Sequence, residues 1–200
     1  MQDSKKKIIV LDCLGNCGDN GQRKFSAENF RGESENILRN YKLIANIPYN
    51  ITGAILKKFL TEKNQPSMLV LMVQNEVAKR IVARDGKESI LSISVKAYGN
   101  PKLEMKVPAR YFSPAPKVDS AIISIKNISR NFFIENKVHE DIFWEIIHAG
   151  FAHKRKKLSS NLKKILKLNI KTQKKYEETL KDKRAEDLSL TDWVLLTKNE

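Results

Sequence analysis

A mostly parallel α/β sheet followed by a small all-α C-terminal domain is the architecture that this 200-residue chain predicts. Two observations carry it. Up to about residue 128, short apolar runs alternate with amphipathic segments, the order expected of an α/β layer. From about residue 137 onward, apolar residues recur only at helical spacing. The bulk composition agrees: 41% hydrophobic and 30% charged residues belong to a globular chain long enough to bury a core.

Taken in order, KKIIVLD (6–12) reads as a short buried strand. Residues 13–40 are rich in Gly, Asn, Ser and charge with little periodicity, and are expected to form an insertion or irregular loop. YKLIA (41–45) is a second strand. Beyond it, Ile55, Leu56, Phe59 and Leu60 have the spacing of one helix face, with Thr52 placed to cap that helix. SMLVLMVQ (67–74) is a third strand, followed by the helix NEVAKRIVA. SILSISVKAYG (89–99) stays open between strand and helix, because its β-branched residues pull against its period. KLEMKV (102–107) alternates like a strand and KVDSAIISIKNI (117–128) is another; the prolines of RYFSPAPKVDS between them force an extended loop. In the helical part, Phe143, Ile146, Ile147 and Phe151 share one face, and Leu158, Leu162, Ile165 and Leu166 another. RAEDLSLTDWVLL (184–196) ends the chain with a helix capped by Ser189, with Asp192 at its third position. Domains are expected at residues 1–130 and 137–200.

Several classes are excluded. No apolar run approaches the ~18 residues of a membrane span, and the apolar stretch near the start is too short for a signal peptide. Two cysteines, Cys13 and Cys17, make no disulfide framework and point to a reducing, cytoplasmic setting. His139, His148 and His153 lie far from that pair, so no metal site is expected.

Charge says more. Lys and Arg total 37 against 23 acids, a net +14, and residues 151–175 hold ten Lys/Arg and no acid. Lys154, Arg155, Lys156 and Lys157 open the helix expected there. Such a run either contacts phosphates with release of counterions or is a solvated, lysine-rich helix face.

The most informative stretch is Asn46-Ile47-Pro48-Tyr49, at the end of the second strand. In open α/β sheets, ligands bind beyond the carboxyl ends of strands. The Asn46 amide oxygen and the carbonyl before Pro48 are two acceptors on a rigid turn, suited to an amino group that donates two N–H bonds. Tyr49 offers a flat face for a base, worth ~1–3 kcal/mol in single-stranded sites. Read alone, the same residues also describe a strand ending in a proline turn with a core tyrosine.

ANIPYNITGAIL, LMVQNEVAKRIVA, FSPAPKVDSAIISI, AGFAHKRKKLSSNL and RAEDLSLTDW occur in that order. The series, covering roughly residues 41–196, resembles the KsgA-type small-subunit rRNA adenine N6,N6-dimethyltransferases. Erm-type resistance methyltransferases share the first three motifs. The resemblance implies a Rossmann-like class I methyltransferase sheet and an enzyme that uses S-adenosyl-L-methionine to methylate adenines of small-subunit rRNA during ribosome biogenesis, on the small ribosomal subunit and away from membranes. A protein partner is not implied.

Within it, Asn46 matches the residue that contacts both cofactor and target amine, and the Ile47-Pro48 backbone supplies the second acceptor. Tyr49 matches the aromatic stacked on the flipped adenine, and Phe112 the one covering its opposite face; without the resemblance Phe112 reads as a core residue. Lys117 suits a phosphate contact or a plain exposed lysine. The family's early strand, glycine-rich turn and ribose-binding acid have no clear counterpart, since Gly15, Gly18 and Gly21 fall at G-x-x-G-x-x-G. Asp12 is matched instead to the acid that approaches the cofactor's adenine. The sheet is therefore expected to be N-terminally incomplete, with the 41–45 strand at its edge. A non-catalytic rRNA-binding remnant and an Erm-type enzyme acting on large-subunit rRNA are the alternatives.

Overall fold

A computed structural model describes residues 7–12, 41–163, 180 and 182–198. Five strands form one sheet: β1 (Lys7–Asp12), β2 (Tyr41–Asn46), β3 (Met68–Gln74), β4 (Asn100–Val107) and β5 (Ser120–Lys126), in the order β1-β2-β3-β5-β4. β1, β2 and β3 run parallel, whereas β5 lies antiparallel between β3 and β4. The sheet is thus mixed rather than mostly parallel. A loop with no helical crossover joins β4 to β5, and such a connection pairs strands antiparallel.

Seven helices accompany the strands among the described residues: α1 (Thr52–Thr61), α2 (Asn75–Val82), α3 (Ile90–Lys96), α4 (Asn131–Asn136), α5 (Glu140–Gly150), α6 (Leu158–Leu162) and α7 (Leu190–Thr197). The chain divides into two compact units, Met1–Ala78 with Asn100–Ile128 and Lys79–Gly99 with Ser129–Glu200. Lys79–Gly99 thus joins the C-terminal helices.

In the first unit, register builds the core in rows. Leu43, Leu69 and Ile125 lie side by side across three strands, as do Ala45, Leu71 and Ile123, and all six are buried. Because side chains alternate between faces, the intervening rows point the other way. Those rows are Ile44–Val70–Ser124 and Asn46–Met72–Ile122. The four apolar residues expected on one face of α1 are buried. Thr52, however, does not cap that helix: it is its first residue, and its hydroxyl donates back to the Tyr49 carbonyl at 3.1 Å. The 3-10 turn Tyr49–Ile51 runs directly into α1 and leaves no extended cap residue.

The edge expected at β2 is covered, because β1 pairs with it from Lys7↔Tyr41 to Asp12↔Asn46. The outer strands among the described residues are β1 and β4. β4 carries Pro101, a register shift between Leu103 and Met105, and exposed Lys102 and Lys106, features that discourage further pairing. The expected irregular segment 13–40 lies outside the described residues.

In the second unit, residues 89–99 resolve to the helix α3. Ser89 accepts from the Ser92 N–H at 3.1 Å while the Ser92 hydroxyl accepts from the Ser89 N–H at 2.7 Å, and this capping box outweighs the β-branched residues. α7 begins as expected, with the Asp192 N–H donating to the Ser189 hydroxyl at 3.2 Å and the Ser189 N–H to the Asp192 carboxylate at 2.9 Å. Phe143, Ile146, Ile147, Leu158 and Trp193 are fully buried or nearly so. Trp193 packs so close to Gly150 that a β-carbon there would lie 2.4 Å from its ring. Ile165 and Leu166, assigned to the α6 face from the sequence, lie outside the described residues.

Candidate active site

Parallel register places the carboxyl ends of β1, β2 and β3 along one rim, with Asp12 beside Asn46 and Asn46 beside Met72. The amino end of β5 completes the rim, since Ser120 pairs with Gln74 on one side and Val107 on the other. Asn46 is the last residue of β2, partly exposed, and its side-chain amide makes no hydrogen bond among the described residues. Ile47 is buried at 2% exposure and pins the start of the turn in the core. Pro48 holds an extended backbone, and its carbonyl accepts from the Ile51 N–H at 3.2 Å. That bond occupies the Pro48 carbonyl and not the Ile47 carbonyl, the one before the proline.

Tyr49 is half-buried, and its hydroxyl lies 2.6 Å from that of Ser120, a fully buried side chain. The ring is therefore held at its far end by β5 and at its near end by the turn. Sequence reasoning missed Ser120. Its only signal is a small hydroxyl residue opening the run SAIISI, and nothing in the sequence pairs it with a tyrosine 71 positions away.

The loop that carries Phe112 is tied to the same rim by Asp119, which was also missed. Its carboxylate accepts from the Ala109 N–H at 2.9 Å and pairs with Lys106 at 2.6 Å, while its carbonyl accepts from the Asn75 N–H at 2.9 Å. The Lys106 ammonium, helped by the Ala109 N–H, holds the Asp119 carboxyl below its ordinary range. Phe112 follows a 3-10 turn, donates its N–H to the Ala109 carbonyl at 3.1 Å and is half-buried, so it is not an ordinary core residue. Among the described residues the Tyr49 and Phe112 rings make no contact with each other. Lys117 is exposed and lines a cavity of about 360 Å³ together with Gln74, Asn75, Glu76, Val118 and Asp119.

Asp12 ends β1 in register with Asn46. Asn46, Ile47, Pro48, Tyr49, Phe112 and Lys117 all belong to the first unit.

The basic run belongs to the second unit, and its setting differs from the expected one. Lys154, Arg155 and Lys156 do not open a helix; they lie in turns between α5 and α6, and Lys157 is the residue before α6. The cause is local: the Asn161 side chain donates to the carbonyls of Gly150 at 2.6 Å and His153 at 3.2 Å, folding the segment back on itself. All four cations are exposed, and Lys157 pairs with Asp182 at 2.7 Å. Among the described residues no cluster of His, Cys, Asp or Glu could hold a metal, and no helix is long and apolar enough to cross a membrane.

The five-stranded mixed sheet, with helices accompanying it, is of the Rossmann-like α/β class. A family model described as ribosomal RNA adenine dimethylase matches residues 20–199. The curated "Ribosomal RNA small subunit methyltransferase A" of Fusobacterium nucleatum subsp. nucleatum is 35% identical over 206 residues, covering 96% of this chain and 78% of that protein. A namesake from Dehalococcoides mccartyi is 42% identical over 159 residues, 78% of this chain, and the chain spans about half, 54%, of its length. A crystal structure of a dimethyladenosine transferase from Plasmodium falciparum superposes with a TM-score of 0.62 at 28% identity, covering 78% of this chain and 65% of that one. The chain belongs to the ribosomal RNA adenine dimethylase family.

Proposed function

We propose that this chain captures an adenine of small-subunit rRNA and presents its exocyclic amine for N6-dimethylation. One observation carries the reading: the Asn46–Tyr49 turn stands at the rim with the Asn46 amide unpartnered among the described residues and the Tyr49 ring fixed through Ser120. The Asn46 amide oxygen and the Ile47 carbonyl accept the two N–H bonds of the amine. Drawing both hydrogens aside frees the nitrogen lone pair. As it bonds to a methyl carbon, that carbon's bond to sulfur would break to leave a neutral thioether, and the nitrogen would shed one proton to solvent. Tyr49 stacks on the base, replacing the neighbours it leaves in the strand, and Phe112 covers its other face. Positioning carries most of such a reaction, so no histidine or paired carboxylate is required.

S-adenosylmethionine fits the polar end of the rim, where Asn46 and Asp12 stand side by side on adjacent parallel strands. When bound it supplies an electrophilic methyl group. Lys154, Arg155, Lys156 and Lys157 add sequence-independent attraction to rRNA phosphates, and Lys117 contacts the backbone near the target.

The test is methyl transfer from labelled S-adenosylmethionine to unmethylated small subunits. Wild-type protein transfers methyl groups to adenine N6, and Tyr49→Ala loses most of that rate while keeping its overall RNA affinity. RNA binding without any transfer by the wild-type chain selects the non-catalytic alternative. Transfer to large-subunit rRNA alone selects the Erm-type one.

A further inference from the structure

The cavity of about 360 Å³ lined by Gln74, Asn75 and Lys117 is not used by the capture of a single base. Its volume falls within the range of small-molecule sites. Three of its polar side chains make no hydrogen bond or ion pair among the described residues: the amides of Gln74 and Asn75 and the ammonium of Lys117. Its acids are accounted for. Asp119 is committed to Lys106 and the Ala109 N–H, and Glu76 lies in the first turn of α2, where the positive end of the helix dipole favours it.

Register fixes where this cavity lies relative to the turn. Gln74 is two residues beyond Met72, the in-register neighbour of Asn46, so Gln74 and Asn46 point to the same sheet face. Strand geometry puts their Cα atoms about 8 Å apart. Gln74 is also the partner of Ser120, which holds the Tyr49 hydroxyl. Gln74, which lines the cavity, thus lies one strand along from Asn46, on the same face and at the same rim.

Building on the base-capture reading, we propose that this cavity is a subsite for the nucleotide next to the captured adenine. The Gln74 and Asn75 amides read that neighbour's base edge, each offering a donor and an acceptor as such amides do to bases elsewhere. Lys117 neutralises the phosphate joining the two nucleotides. Sequence preference at the neighbouring position is set here, separately from the recognition of the target amine at Asn46.

The full chain is titrated with fluorescein-labelled pentaribonucleotides carrying one central adenosine among uridines, and with versions abasic at either neighbour of that adenosine. Removing the base on one side lowers wild-type affinity about fivefold. The Gln74→Ala/Asn75→Ala variant binds the intact strand as weakly as wild type binds the abasic one, and loses nothing further with the abasic strand. Both side chains are free of structural bonds among the described residues; as a check on folding, Gln74→Glu/Asn75→Asp keeps both volumes and shows the same insensitivity to the abasic neighbour. Lys117→Gln lowers the salt slope by about 0.7, the value for one single-strand phosphate contact. An equal abasic penalty in wild type and variants overturns the subsite. Failure of the parent reading looks different: an abasic central nucleotide then leaves wild-type affinity for the pentamer unchanged.

Discussion

Gly150 and Gly53 are both helical glycines, and the structure predicts opposite results for their replacement by alanine. At Gly150, the last residue of α5, an added β-carbon would lie 2.4 Å from Trp193 Cη2, 2.9 Å from Cζ3 and 3.0 Å from Leu158 Cδ1. Carbon atoms sit comfortably at about 3.5–4.0 Å, so the indole must retreat by roughly 1 Å or more. It has no room to do so: Trp193 is fully buried and stacks on Phe151 at 5.7 Å between centroids. Overpacking of this kind costs about 1–3 kcal/mol, whereas the gain in helix propensity is at most about 1 kcal/mol and smaller at a helix end. Gly150→Ala is therefore expected to be destabilised by about 1–2 kcal/mol. For a chain of this size that lowers Tm by roughly 2–8 °C. Gly53, exposed near the start of α1, has nothing within 4 Å of its would-be β-carbon, so Gly53→Ala gains up to about 1 kcal/mol. Urea and thermal unfolding of both variants read the contrast. A Gly150→Ala protein as stable as wild type would refute the close packing of α5 on α7.

Three further outcomes are expected. Changing Lys154, Arg155, Lys156 and Lys157 to Gln lowers the salt slope of rRNA binding by roughly 0.7–0.9 for each phosphate that is no longer neutralised, while Tyr49→Ala leaves that slope unchanged; an unaltered slope in the quadruple variant makes the run a solvated loop. Burial, with a smaller push from Glu62, raises the Tyr41 hydroxyl to about 12, and burial with its bond to Glu140 also raises Tyr98. A raised folded value favours the neutral form, so this stability is whole below pH ~10, the unfolded value, and drains away toward pH ~12. Tyr41→Phe and Tyr98→Phe should flatten that alkaline decline in urea titrations across the interval, and a decline as steep as in wild type would contradict the assignment. Finally, Ile8 and Ile44 are 60% and 40% exposed on β1 and β2, and β1, an outer strand among the described residues, lacks the proline and register shift of β4. Ile8→Lys should reduce concentration-dependent association in sedimentation, and a monodisperse wild-type monomer would count against this edge as a pairing surface.

The parts of the fold that a single side chain's chemistry decides were legible in the sequence. The periods of β2, β3, α1 and α5 follow from which residues are apolar, and the start of α7 from Ser189 and Asp192. What escaped depends on partners distant in the chain or on competition between local signals. Thr52 has the chemistry of a cap, but the 3-10 turn before it removes the extended backbone that a cap needs. The run at 154–157 has helix-compatible residues, yet Asn161 commits its amide to the carbonyls of Gly150 and His153 and turns the segment into a loop. β5 runs against β3 because of how it joins β4, and no property of AIISI alone reveals that.

The same distinction applies to the site. Asn46, Ile47, Pro48 and Tyr49 were readable as a candidate because the chemistry proposed for them lies in adjacent residues on one turn. Asp119 and Ser120 were not, although they decide whether that turn and the Phe112 loop stand at one rim. Ser120 fixes the free end of the Tyr49 ring, and Asp119 ties the amino ends of α2 and of the 3-10 turn before Phe112. If these bonds position the two aromatic surfaces, Ser120→Ala should affect more than stability. Removing one partly buried hydrogen bond costs about 1 kcal/mol, and Ser120→Thr, which keeps a hydroxyl, restores part of it. The ring's mobility gives the sharper readout. With 2-aminopurine at the target position of a short RNA, stacking on a fixed Tyr49 quenches its fluorescence, and Ser120→Ala should weaken that quenching while leaving the salt slope of binding intact. Equal quenching in wild type and Ser120→Ala would mean that the turn alone orients Tyr49, and the bond to β5 would then be a contribution to folding only.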